Sequence, residues 1–331
     1  MSSNPTRESA EERGGVLSLR GQVLQKLATF LSLILMVIFF SIGSPFFLTV
    51  DNLMTIILQS SVLGILAIGV TFVIVGGGID LSVGSVLAFS GMMIGVAVNA
   101  QVPLVLSILF GVCAGAFMGM VSGFLVSRAH LPPFIATLGM MMIARGLTLV
   151  VSGARPVYFL DAPAFPQISQ GVLFDVIPYP VLYVFGVAIV SSFILRKLAI
   201  GRYIYALGSN EEAAGLSGIN VKRVKLFVYS YSGLMAGLAG LVLTSRLSSA
   251  QPMAGLTNEL HAIAAAVIGG TSLSGGEGTI TGTLIGALIM GVLRNGLNLM
   301  NVSQFWQEVA MGVVVILAVY IDIMRQERSN D

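Results

Sequence analysis

An all-α, polytopic membrane fold of about ten spanning helices, with both chain ends on the cytoplasmic side, follows from three observations. Only 10% of the 331 residues are charged and 56% are hydrophobic, with a mean hydropathy of +0.94, so water cannot be the main solvent for this surface. Apolar runs repeatedly reach spanning length, about 20 residues. The basic residues gather at alternate turns between those runs, as the charge bias of membrane topology requires.

A polar tail of mixed charge covers residues 1–26, and no small-residue cleavage site follows the next apolar run, so the first span is expected to stay as an anchor. One transmembrane domain, 27–325, then holds spans near 28–49, 53–75, 82–99, 103–127, 133–151, 179–195, 226–246, 258–272, 279–299 and 304–323, and a second tail covers 326–331. With the N-terminus inside, Arg7, Arg13, Arg20, Lys26, Arg128, Arg196, Lys197, Arg202, Lys222, Arg223, Lys225, Arg325 and Arg328 fall on the cytoplasmic face. Only Arg155 and Arg246 fall outside. An odd number of spans would strand Arg325 and Arg328 on the wrong side.

Two extramembrane segments are long enough to carry function. The outer loop, 152–178, holds Pro156, Pro163, Pro166 and Pro178 with Tyr158 and Phe165, a composition for a rigid surface that could receive an external partner. The inner loop, 196–225, contains Gly208-Ser209-Asn210-Glu211-Glu212-Ala213-Ala214-Gly215-Leu216-Ser217-Gly218, which places Ser or Asn at a cap before a short helix ended by glycine.

Gly111, Gly115, Gly119 and Gly123 recur every four residues and leave a bare groove along one helix face; Gly233 with Gly237 and Gly282 with Gly286 repeat the spacing. Such faces serve either a subunit interface or packing within one bundle. Val73–Ser85 (VIVGGGIDLSVGS) and Val267–Thr279 (VIGGTSLSGGEGT) share a plan of span, glycine cluster and span, read either as an internal repeat or as two common glycine breaks.

Charges inside the apolar segments are functional candidates, because burying them is costly unless they are paired or wetted. Asp80, with Ser82, either caps the third span or lines a path; Arg145, Arg294 and Glu308 either line a polar path or snorkel to the interface. Carboxylates are too few for a proton or sodium relay. The net charge of +2 and the scattered basic residues exclude nucleic acid as a partner. The single Cys113 and the distant His130 and His261 offer no metal site, and no GxSxG nucleophile is present. Leu273-Ser274-Gly275-Gly276-Glu277 looks like the signature loop of cassette ATPases, yet none of the four lysines follows a glycine, so the phosphate cradle is missing and no cofactor or ATP hydrolysis is expected here.

Glu212-Ala213-Ala214 followed by Gly218 resembles the EAA-type loop of ATP-binding cassette (ABC) importer permeases, whose short helix docks on the ATPase. GGIDLSVGS (77–85), PPFIATLGMMMIARGL (132–147), ALGSNEEAAGLSGINV (206–221) and IGGTSLSGGEGTITGTLIGALIMGVLRNGLNL (268–299) together resemble the ribose-type sugar permeases, within the branched-chain amino acid/ribose permease superfamily. Glu277 and the doubled Pro132-Pro133 depart from the usual pattern. The resemblance implies an importer subunit in the bacterial inner membrane, with Glu211, Glu212, Ala213, Ala214 and Gly218 coupling it to a cytoplasmic ABC ATPase. It further implies a second permease subunit, identical or paralogous, and an extracytoplasmic binding protein that delivers a monosaccharide. Ribose leads; autoinducer-2, xylose, arabinose, galactofuranose and branched-chain amino acids are alternatives, as is a carrier working alone.

Overall fold

The computed structural model describes residues 29–159, 162–174 and 177–330, without the side chains of 325–330. The predicted N-terminal tail with Arg7, Arg13, Arg20 and Lys26 lies outside the described residues, as do the Arg325 and Arg328 side chains and Asp331.

Every predicted span contains a helix among its described residues. In chain order these are α1 (Thr29–Gly43), then α2 (Val50–Val75), α3 (Val83–Asn99), α4 (Leu104–Ser127) and α5 (Pro133–Ser152). After the short α6 (Ala164–Gln170) come α7 (Tyr179–Lys197), α8 (Ala199–Ser209), α9 (Glu211–Leu216), α10 (Val221–Leu247), α11 (Asn258–Ile268), α12 (Ile280–Leu299) and α13 (Gln304–Asn330). Among the described residues seven are long and apolar enough to cross a membrane: α2, α4, α5, α7, α10, α12 and α13. α1, α3 and α11 are apolar but shorter; eleven residues in α11 reach only about 16 Å. The helix starts are written locally: Pro133 occupies the first turn of α5, where its missing N–H costs nothing, and Thr279 Oγ1 accepts from the Gly282 amide to cap α12.

Two short pairings interrupt the all-α pattern. β1 (Val157–Tyr158) pairs antiparallel with β4 (Ser249–Ala250), and β2 (Val172–Leu173) with β3 (Ile177–Pro178). The described residues of the 152–178 loop thus form a patch built from α6 and these pairings. It defines one end of the bundle; α8 and α9 define the other.

Both described chain ends lie at the α9 end. Thr29 Oγ1 donates to the Ile268 carbonyl at 3.1 Å, and Asp322 Oδ2 accepts from the Leu273 amide at 3.1 Å. Arg128, Arg196, Lys197, Arg202, Lys222, Arg223 and Lys225 are at this end too, whereas Arg155 and Arg246 lie at the β1–β4 end.

The glycine faces serve packing within the bundle. Gly115 and Gly119 of α4 sit on Gly233 and Gly237 of α10, and Gly282 and Gly286 of α12 sit on Gly269 and Ala265 at the end of α11. Small residues let helix backbones approach where lipid offers no hydrophobic drive.

The bundle repeats itself in reverse. α4 packs on α10 as α12 packs on α2; α3 packs on α4, α5 and α10 as α11 packs on α12, α13 and α2. α2 runs towards the α9 end and α10 away from it, so the α2–α5 and α10–α13 units are inverted copies in arrangement. The two glycine clusters read as candidate repeats are not equivalent positions in this scheme. They touch each other at the α9 end, where the Gly276 amide donates to the Val75 carbonyl at 2.9 Å. The structural counterpart of 76–82, which precedes α3, is the segment 248–257, which passes through β4 and returns into the bundle before α11. Gly255, at φ +69°, packs on Gly84 of α3, so the N-termini of the two short helices α3 and α11 face one another inside the protein.

Candidate functional site

α9 is six residues long and is positioned by its flanks and by Ala214. Asn210 Oδ1 accepts from the Ala213 amide at 2.9 Å, the expected N-cap. The Ile219 amide returns to the Ala214 carbonyl at 3.1 Å, through Gly218 at φ +84°, a left-handed position that favours glycine. Ala214 is buried against the bundle, while Glu211, Glu212, Ala213, Leu216 and Gly218 are exposed. Lys225 Nζ of α10 meets Glu211 Oε1 at 2.7 Å. Beside α9 lies a groove of about 580 Å³ whose walls include Val126, His130, Glu212, Leu216 and Lys222.

Leu216 is 86% exposed, and the sequence reading passed over it. Its signal was present, since a large apolar side chain on the outer side of a polar loop has no core to fill.

The 196–225 segment holds two helices, α8 and α9, where one was expected. α8 carries apolar residues on one face, with Ile204 and Leu207 buried. Tyr205 Oη donates to the Gly278 carbonyl at 2.8 Å, and burial pushes its phenol above the ordinary range, so it remains a donor.

The interior polar candidates do not form one cluster. Asp80 Oδ1 accepts from the Ser82 amide at 2.9 Å and from Ser82 Oγ at 2.6 Å, and Oδ2 accepts from Ser232 Oγ of α10 at 2.8 Å. The carboxylate therefore orders the approach to α3 and ties it to α10; it does not reach an amide inside the helix. Asp80→Ala is expected to leave the Ser82 and Ser232 hydroxyls short of an acceptor at about 1–3 kcal/mol each. Lower folded yield and an earlier melting transition in detergent should result, with Ser232→Ala milder.

Arg145 of α5 donates to the carbonyls of Pro252 at 2.6 Å and Ala254 at 2.9 Å, clamping the returning segment. Glu308 lies 3.8 Å from His261 Nε2, and Arg294 is exposed. Glu259, in the first turn of α11, was overlooked although a carboxylate in an apolar stretch is a signal by itself. Its Oε2 is buried against Gly84, and no hydrogen-bond partner for it stands among the described residues. Asn52 and Asn295, whose side-chain amides each donate to the other's Oδ1 at 3.0 and 2.8 Å between α2 and α12, were also missed. Among the described residues no three His, Cys, Asp or Glu side chains are grouped to hold a metal.

Residues 52–319 match the model of one protein family, described as branched-chain amino acid transport system / permease component. The chain belongs to this family. This permease is 46% identical to the ribose import permease protein RbsC of Haemophilus influenzae, over 91% of its own length and 94% of the relative's. It is 47% identical to the RbsC protein of Bacillus subtilis, over 91% and 93%. To the D-allose transport system permease protein AlsC of Escherichia coli it is 44% identical, over 88% and 90%. No solved structure matches it. With its apolar helices, this permease is a multi-pass protein of the bacterial inner membrane.

Proposed function

We propose that the protein is the transmembrane subunit of an ATP-driven importer for a monosaccharide, ribose first among them. The names of the RbsC relatives support the substrate, and nearly full coverage of both chains supports a common architecture. In this reading all ten apolar helices α1–α5, α7 and α10–α13 are inserted in the membrane, α3 and α11 as shortened elements. The α9 end is cytoplasmic, in keeping with its seven described basic side chains against Arg155, Arg246 and the neighbouring Arg294 towards the other end.

The observation that carries the coupling role is α9 itself: a capped helix fixed through Ala214, presenting Glu212, Ala213 and Leu216 outwards beside a groove. These residues, with Glu211 and Gly218, dock on a separate ATPase subunit, which performs the hydrolysis. A second permease subunit completes the path, and the α6/β1–β4 surface receives a sugar-loaded binding protein.

The test is uptake in proteoliposomes holding this permease with its ATPase, supplied with binding protein and labelled ribose, allose or leucine. ATP-dependent ribose entry is expected. Entry without ATP would sink the importer reading, and preferential leucine entry would move the protein to the amino-acid branch.

A further inference from the structure

Behind the docking helix, three backbones meet directly, with the Ser209 hydroxyl of α8 also lying against Gly276. A Cβ placed on Gly208, at the end of α8, would strike the Val75 carbonyl of α2 and the amide of Gly276. One placed on Gly275 would lie 2.7 Å from the Gly208 oxygen and 3.0 Å from the Gly77 Cα. Gly77, Gly275 and Gly276 have φ of +78°, +89° and +75°, so local geometry as well as packing demands glycine there. Tyr205, one turn earlier in α8, fastens the same loop through the Gly278 carbonyl.

We propose that Gly208 and Tyr205 are positioning residues for coupling, passing a displacement of α9 to the 269–279 loop and to Gly77. This rests on the reading of α9 as the ATPase-docking helix. Close-packed protein barely compresses, so direct backbone contact transmits motion that a flexible side chain would absorb. The Lys225–Glu211 pair also links α9 to α10, but it joins two long side chains of which Glu211 is 56% exposed, and is soft by comparison.

From the contact two short routes lead inwards. Gly77 to Ser82 leads to the N-terminus of α3 with Asp80, and the 269–279 loop is continuous with α11, whose first turn holds Glu259. Those two N-termini meet at Gly84 and Gly255. A shift of α8 therefore moves both short helices from one point, and the junction inside the bundle opens or closes with it.

The test is ATP consumed per ribose imported by the reconstituted permease–ATPase assembly with binding protein. Tyr205→Phe removes one hydroxyl and should raise that ratio about fivefold, the size of one hydrogen bond, with the ATPase still co-purifying. Gly208→Ala should cut uptake by about tenfold or more through forced separation of the backbones, again with the ATPase bound. Gly186→Ala, with nothing within 4 Å of the added methyl, is the control and should match wild type. Should Gly208→Ala not fold, Tyr205→Phe decides alone. An unchanged ratio overturns the proposal, including the case where uptake and hydrolysis fall together. A wild-type assembly without ATP-dependent uptake instead overturns the docking reading.

Discussion

Leu216→Asp and Glu212→Arg are each expected to reduce ATP-dependent uptake by about tenfold or more while leaving membrane insertion and the folded state unchanged. Burying a leucine at an interface is worth about 1.5–3 kcal/mol, which corresponds to roughly 10–100-fold in affinity for the ATPase. Both side chains are exposed, and α9 is held by Asn210, Ala214 and the Gly218 turn, none of which either substitution touches. Glu211→Gln removes the pair with Lys225, worth about 0–1 kcal/mol, and one charge from the docking face without reversing it, so its loss of uptake should be smaller than that of Glu212→Arg. Co-purification of the ATPase with each variant reads docking, and size-exclusion profiles read folding. Wild-type uptake by both variants would mean that α9 does not carry the coupling.

The apolar helices were legible because length and apolarity set them one segment at a time. Their ends were less so where the helix outruns the apolar stretch. α10 was expected from 226 and begins at Val221, since Lys222, Arg223 and Lys225 end the hydrophobic run while Asn220 Oδ1 still caps the helix through the Arg223 amide at 3.1 Å. α11 was expected to reach 272 and stops at Ile268, where Gly269 and Gly270 release the chain. What sequence could not give is pairing across long separations. Ser232 accounts for Asp80 only once α10 is beside it, 152 residues away. The inverted arrangement escaped notice because it relates backbone paths, whereas the similarity visible in sequence was a count of glycines. The α9 segment was readable as a capped helix, but which of its residues face outwards depends on how α8 turns the chain back against the bundle.

Gly119→Leu should abolish most folded permease, whereas Gly186→Leu on α7, with open space around it, should not. At Gly119 even a methyl group would strike the Tyr229 carbonyl and lie 2.8 Å from the Gly233 Cα of α10. The obstruction is backbone, which cannot swing aside as a side chain can, so the penalty belongs at or above the usual overpacking range of about 1–3 kcal/mol. Gly119→Ala should therefore already lower the melting temperature measurably. Gly233 meets the same contact from the other side, 2.8 Å from the Gly119 Cα, and Gly233→Ala should cost a similar amount. The two should not add: once one methyl has pushed α4 and α10 apart, the second finds part of the space already open, and the double variant falls short of the sum. Fully additive losses would instead place the damage in each helix separately and remove the close α4–α10 approach as its cause.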